Sequence, residues 1–269
     1  MPSIAKKFMA ELIGTWMLVI VGPGAAAVTL MLAEGESKAS RFNIGIGALG
    51  GLGDWLGIGL AFGIIVAVAI YIFGPVSGCH INPAVTIGLW ATKRFPTTDL
   101  IPYLAAQFLG AVLGSATLLF MLGSKGSTVG GLGAPGIFPG ITPTGAFVAE
   151  LVGTFILVLT IMGVAVDKRA PKGWAGLMIG LAVAGVIITM GNISGQGINP
   201  ARAFGPMFVN MLAGGSMNWT NYLIIFFAAP IIGGILASVV YGVFIEDKEP
   251  LCEDEFCTID PEKSKVKTG

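Results

Sequence analysis

Six long apolar runs constrain the fold of this chain more than any other feature of its sequence. The hydrocarbon core of a bilayer is about 30 Å thick, so a helix that spans it needs about 20 apolar residues. Only 11% of the 269 residues are charged, whereas a soluble domain carries about 25%. The chain is therefore predicted to be an all-α membrane protein with six transmembrane helices. The runs lie at about residues 8–32, 55–74, 100–122, 146–166, 174–193 and 222–245.

Basic residues are unevenly distributed between the connections of such a six-span chain. Only Lys38, Arg41 and Lys125 fall on one side of it. Cytoplasmic loops of membrane proteins carry an excess of Lys and Arg, so we expect a multi-pass protein of the cell membrane with both termini in the cytoplasm. The charged segment 246–269 is predicted to be a disordered cytoplasmic tail. The basic residues on the cytoplasmic side are Lys6, Lys7, Lys93, Arg94, Lys168, Arg169 and Lys172.

Two further apolar stretches, 82–93 and 199–210, are too short to span a membrane. At 1.5 Å per residue, each reaches only about 15 Å as a helix. Both begin with the tripeptide Asn-Pro-Ala. Asparagine is favoured at a helix N-cap and proline at the next position, so each tripeptide predicts a half-helix that starts near mid-membrane. The tripeptides are Asn82, Pro83 and Ala84, and Asn199, Pro200 and Ala201.

The surroundings of the two tripeptides predict a path for a small molecule. The Gly/Ser-rich segments before them, "GPVSGCHI" and "GNISGQGI", are expected to be extended and to offer carbonyl acceptors, while the asparagine amides keep donors free to point into a lumen. The connections 33–54 and 123–145 are expected to be loops. Donors at the centre, acceptors along one side and apolar walls suit a small neutral polar molecule. The positive ends of the two half-helices would repel cations and protons.

The two halves of the chain resemble each other. "AELIGTWMLV" from Ala10 matches "AELVGTFILV" from Ala149, and "INPAVTIG" from Ile81 matches "INPARAFG" from Ile198. Each copy contains three spans, an odd number, so the second copy must be inverted in the membrane. We expect one domain, 1–245, built from inverted repeats at about 5–122 and 146–245, with its functional site where they meet at the midplane.

Several ionisable residues fall within the predicted spans or half-helices. A charge such as that of Arg202 is costly at this depth, so it is expected to line a water path or to be paired. Glu11 and Glu150 occupy matching positions, which favours anchoring of the two loops over proton coupling. His80 is interpreted as a hydrogen-bonded loop residue, with a pH-sensitive gate as the alternative.

Other function classes find little support in the sequence. It contains no serine–histidine–acid set, phosphate loop or metal-binding cluster, so no enzyme activity, metal or cofactor is expected. Its zero net charge gives no nucleic-acid footprint.

The duplicated Asn-Pro-Ala boxes, the paired "AE..GT" helices and the arginine after the second box resemble those of aquaporins in the major intrinsic protein family. Among these, the chain is most similar to the archaeal members called aquaporin M, and the resemblance covers about residues 5–245. It implies a passive channel for water that excludes ions. It also implies a homotetramer with one pore per subunit.

The resemblance further implies a selectivity filter formed by Phe62, Ile187, Gln196 and Arg202. Water-specific members have histidine at the position of Ile187, and glycerol facilitators typically have glycine. We therefore expect an apolar, intermediate filter that passes water, with glycerol, other small neutral solutes and dissolved gases as further candidates. The Gln196 side chain either lines the pore or turns away and leaves its backbone there.

Two alternatives remain open on the sequence. Inverted repeats with broken helices also build secondary transporters, which would need a cation site or protonatable pair on the pathway. An intramembrane enzyme would need a nucleophile and a base.

Overall fold

The computed structural model describes residues 2–36 and 52–246. Six of its helices are long and apolar enough to cross a membrane, and no strand occurs within these residues, so the predicted all-α fold class is confirmed. The expected tail after Glu246 and most of the expected loop 33–54 lie outside the described residues. The long helices are α1 (Ile4–Glu36), α2 (Leu52–Ser77), α4 (Thr97–Thr128), α5 (Pro143–Val166), α6 (Ala175–Ser194) and α8 (Trp219–Phe244).

Two short helices begin at the prolines of the tripeptides. Helix α3 covers Pro83–Ala91 and helix α7 covers Pro200–Leu212. Each therefore starts where the Asn-Pro pair predicted and is too short to span a bilayer.

The connection expected at 123–145 is shorter than predicted. Helix α4 continues to Thr128 through a single non-helical residue, Gly123, with φ 65° and ψ −160°. Glycine adopts this conformation without a steric penalty, so the helix turns there and resumes. Leu132 follows in a short 3₁₀ turn and is fully buried, so the start of this connection is packed into the protein.

Glycines allow the helices of both repeats to pack closely. A Cβ atom on Gly110 of α4 would lie within 3.2 Å of the Leu12 carbonyl carbon of α1. The equivalent residues of the second repeat make the same contact, since a Cβ on Gly233 would lie 3.2 Å from the Leu151 carbonyl carbon. Close backbone approach at small residues is the usual packing device of membrane helices.

Helices α2 and α6 pack on each other across an internal two-fold relationship. A Cβ on Gly63 would lie 3.3 Å from the Gly180 carbonyl carbon, and one on Gly180 would lie 3.3 Å from that of Gly63. These residues are separated by 117 positions, the same separation as Asn82 and Asn199. Reciprocal contacts of this kind are the signature of a two-fold axis.

The connections after α3 and α5 meet the end of α8. Arg94 pairs with Glu246, and Nη2 of Arg169 donates to the Ile245 carbonyl oxygen at 3.0 Å. Arg169 also binds Asp167 at 2.6 Å and holds the pKa of that carboxyl well below its usual range. Basic residues of both connections therefore lie at the same end of the molecule as the last described residues.

Candidate functional site

The two asparagines cap the half-helices with their side-chain oxygens. Oδ1 of Asn82 accepts from the backbone N–H of Ala84 at 2.9 Å. Oδ1 of Asn199 accepts from the N–H groups of Ala201 and Arg202, both at 3.1 Å. Both asparagines have extended backbone and are followed by proline, so each is an N-cap in the ordinary sense.

The asparagine amides join the two repeats at the centre of the molecule. Nδ2 of Asn82 donates to the carbonyl oxygen of Ile198 at 2.8 Å, and Nδ2 of Asn199 donates to that of Ile81 at 2.8 Å. The sequence predicted free amide donors. An amide has two N–H groups, so one group of each asparagine is engaged in these bonds and one remains for another acceptor.

The segments before the asparagines are not extended as predicted. Cys79 and Ile81 have φ values of 52° and 43°, and Gln196 and Ile198 have values of 42° and 41°. Side chains, above all β-branched ones, rarely adopt this left-handed region, and it persists only where surroundings enforce it. Here it turns successive N–H groups towards one carboxylate, an arrangement that extended backbone cannot provide.

Glu11 is the acceptor for the first loop, residues 78–81. Its Oε1 accepts from Ser77 Oγ at 2.7 Å and from the N–H of His80 at 2.8 Å. Its Oε2 accepts from the N–H of Ile81 at 2.6 Å and from Nε2 of Gln107 at 2.8 Å. The buried carboxylate therefore holds the loop through each of its oxygens.

Glu150 does the same for the second loop, residues 195–198. Its Oε1 accepts from Ser194 Oγ at 2.6 Å and from the N–H of Gly197 at 2.7 Å, and its Oε2 accepts from the N–H of Ile198 at 2.6 Å. The two acids thus occupy equivalent places, and these are the contacts expected of loop anchors.

His80 is enclosed by polar and aromatic neighbours. Its Nδ1 lies 3.1 Å from Oγ1 of Thr86, and its ring packs against Phe95 and Tyr103 at centroid distances of 4.8 and 5.3 Å. Gln107 also donates to Thr86, at 2.9 Å. Sequence reasoning missed Thr86, Tyr103 and Gln107, although a glutamine within an apolar span could have been singled out by its cost in lipid.

A cavity of about 360 Å³ runs past both loops. Both asparagines line it, and Arg94 lines the end near the connections after α3 and α5. Most of its wall is aliphatic, including Leu18, Val66 and Val183. The residues that sequence comparison assigned to a filter also line it: Phe62, Ile187, Gln196 and Arg202.

Arg202 and Phe62 lie against each other in this cavity. The guanidinium carbon is 4.9 Å from the centroid of the Phe62 ring, a cation–π distance. Arg202 is only 2% exposed, yet its Nε and Nη1 atoms have no hydrogen-bond acceptor among the described residues. Ile187 completes this region with an apolar side chain. The site therefore offers N–H donors beside apolar walls.

The side chain of Gln196 turns away from the other three residues. Its Nε2 donates to the Ala149 carbonyl oxygen of α5 at 3.1 Å, and the residue is fully buried. It occupies a niche beside Gly153, where a Cβ atom would lie 3.0 Å from the glutamine Cδ. Of the two expectations for this residue, the structure adopts the one in which the side chain leaves the filter.

A family model described as Major intrinsic protein matches residues 1–241 of the chain. The chain belongs to the major intrinsic protein family. Aquaporin AqpM of Methanothermobacter marburgensis is 56% identical over 241 residues, which cover 90% of this chain and 98% of the relative. Aquaporin Z of Rhodopseudomonas palustris is 37% identical and covers 88% of this chain and 92% of its own length.

The fold is also similar to that of a solved structure in this family of channels. The aquaglyceroporin from Plasmodium falciparum superposes with a TM-score of 0.75 at 29% identity, covering 90% of this chain and 97% of its own. The predicted resemblance to aquaporins, and to archaeal members among them, is thus confirmed. A multi-pass membrane protein follows from the family and the six apolar helices.

Proposed function

We propose that the chain is a passive transmembrane channel for water, which also admits glycerol or another small neutral solute. The observation that carries this proposal is the cavity that passes both asparagine amides and Arg202 between aliphatic walls. A small molecule that accepts hydrogen bonds can exchange its hydrogen bonds to water for bonds to these donors. The aliphatic wall forms no hydrogen bonds with it and so does not retain it.

The central asparagines would orient each passing molecule. One N–H group of each amide is engaged with the opposite loop, which fixes the amides in place. The second groups would donate to the oxygen of a water molecule from two sides. An oxygen that accepts twice cannot also accept from a neighbouring water, so a proton relay is interrupted there. The positive ends of α3 and α7 add a barrier to cations.

The filter would select by size and by hydrogen bonding. Arg202 supplies unpaired N–H donors and a positive charge, and Phe62 and Ile187 supply apolar surface. Isoleucine makes the filter less polar than histidine would. Permeation of small carbon-containing solutes should therefore be easier here than in a water-specific channel. Dissolved gases are further candidates for the same reason.

A secondary transporter is the alternative, and the positions of the two buried acids count against it. Glu11 and Glu150 accept four and three hydrogen bonds from the protein. Neither belongs to the described residues that line the cavity. A carboxylate engaged in this way is a poor proton carrier, and we assign both residues to anchoring the loops.

The remaining parts of the proposal rest on the family and on charge distribution. We infer a cell-membrane protein with both termini in the cytoplasm, on the side of Arg94 and Arg169. We also infer a homotetramer with one pore per subunit, without catalytic activity, cofactor, metal or nucleic-acid partner. His80 is assigned to support of the first loop through its bond with Thr86.

Stopped-flow light scattering on proteoliposomes tests the proposed function. The wild-type protein is expected to raise water permeability above that of empty liposomes, and an uncoupler should leave this flux unchanged. The Ile187→His variant should lower glycerol permeability more than water permeability. Water flux equal to that of empty liposomes, or flux abolished by the uncoupler, would exclude the passive channel.

A further inference from the structure

The ring of Phe62 lies directly against a glycine of α1. A Cβ atom added to Gly22 would lie 2.5 Å from Cδ1 and 2.8 Å from Cγ of this ring. Real Cβ atoms essentially never approach other heavy atoms so closely. The position of the filter aromatic therefore depends on the absence of a side chain at residue 22.

Helix α1 is held in place by the turn that follows α4. A Cβ on Gly133 would lie 2.6 Å from the carbonyl carbon of Pro23, and one on Gly130 would lie 2.9 Å from the carbonyl oxygen of Ala27. The short turn after α4 thus packs against the backbone of α1. Helix α1 therefore cannot shift towards this turn to accommodate a larger residue at position 22.

Helix α2, which carries Phe62, is also fixed. A Cβ on Gly63 would lie 2.8 Å from the Cβ of Ala184 in α6, and one on Gly59 would lie 2.9 Å from the carbonyl oxygen of that residue. Backbone contacts this close leave the helix unable to slide away from α1 without separating from α6. The open direction for the ring is the cavity, which Phe62 lines together with Ile187 and Arg202.

We propose that Gly22 is a specificity-determining residue of the channel. It allows the Phe62 ring to lie back against α1, and this sets the cross-section opposite Arg202. An alanine at residue 22 moves the ring into the cavity and narrows the filter. A solute wider than water is affected more than water itself. The proposal rests on the proposed channel function and extends its filter by a residue that is not part of the cavity lining.

The test compares Gly22→Ala with Gly24→Ala in proteoliposomes. Gly24 lies two residues further along the same helix and faces Leu118, whose Cδ2 would be 3.0 Å from an added Cβ. The control therefore adds the same methyl group to the same helix without touching Phe62. We expect Gly22→Ala to raise the ratio of water to glycerol permeability by about tenfold or more, the lower end of the range for one methylene in a pocket. If the wild type passes water but no glycerol, no ratio can be formed. The expected result is then a lower water permeability per channel for Gly22→Ala than for the wild type.

A second background isolates the contact between the two residues. Phe62→Ala removes every ring atom that an alanine at residue 22 would meet, so adding Gly22→Ala to it should change neither the ratio nor the yield of folded protein. The proposal is overturned if Gly22→Ala leaves permeability unchanged, if Gly24→Ala has the same effect, or if the effect persists without the ring. A Gly22→Ala protein that fails to fold and is not rescued by Phe62→Ala also overturns it. Failure of the channel function itself is distinguishable, because the wild type would then carry no water.

Discussion

The first and second loops have the same backbone course but different surroundings. Around the first loop, Tyr103 donates to the Ser77 carbonyl oxygen and Gln107 donates to Glu11. The aligned positions of the second repeat are Phe226 and Pro230, and a Cβ on Gly197 would lie 3.2 Å from Cδ1 of Phe226. An acid therefore anchors each loop, and further polar contacts surround the first loop where apolar packing surrounds the second.

The residues just after the two boxes differ in the opposite sense. Val85 follows the first box, and Arg202 occupies the equivalent place after the second. Both repeats keep the anchoring acid and the capping asparagine, whereas only the second carries a charged residue directly after its box. The comparison teaches that the features which build the loops are shared, while the charged member of the filter belongs to the second repeat alone.

Replacing Arg202 with the residue of the first repeat should produce the largest change in function. Arg202→Val removes the charge and the unpaired N–H donors from the filter. We expect glycerol permeability to rise by about tenfold or more, together with a measurable cation or proton leak. Stopped-flow light scattering on proteoliposomes measures the glycerol permeability. A pH-sensitive dye enclosed in the liposomes measures the leak. Because Nε and Nη1 of Arg202 have no acceptor among the described residues, their removal relieves desolvation, and the thermal stability in detergent should not fall. Unchanged selectivity would contradict the assignment of Arg202 to the filter.

The two anchoring acids should differ in their contribution to stability. Each oxygen of Glu11 accepts two hydrogen bonds, so Glu11→Gln loses two of them whichever way the amide turns. Glu150→Gln can place its NH2 group where a single donor, the N–H of Ile198, is lost. We expect a loss of unfolding free energy of about 3 kcal/mol for the first variant and about half of that for the second.

Thermal unfolding in detergent and the yield of folded protein measure this difference. Gln107→Leu serves as a matched control, since it removes one donor and leaves the carboxylate in place. Glu11→Gln with unchanged folding and flux would contradict the anchoring role.

The smallest effects are expected at the third residue before each asparagine. Gln196→Ala removes the bond to Ala149 and leaves the niche beside Gly153 unfilled, which should cost about 1–2 kcal/mol. Its water and glycerol permeabilities should change little, because this side chain does not face the filter. Cys79→Ala, the equivalent change in the first loop, should be milder still. A marked change in selectivity for Gln196→Ala would place its side chain back in the filter.

The sequence predicted much of this molecule because its strongest signals are local. Apolar length predicted six spans, and the Asn-Pro pairs predicted the starts of α3 and α7. The extended form expected before each box was wrong. The left-handed residues there turn backbone N–H groups towards carboxylates on helices that are distant in sequence. Gly22 shows the same limit, since only its contact with Phe62, a residue of another helix, reveals what the missing side chain allows.

The reciprocal bonds between the asparagines and the opposite loops have a consequence for the origin of the chain. Neither repeat completes the centre by itself. Two identical half-length chains, packed in opposite orientations about a two-fold axis, would complete it. Such a homodimer would carry an arginine at both mouths or at neither. Joining the halves into one polypeptide frees each half to change independently, so an arginine can follow one box while an uncharged residue follows the other.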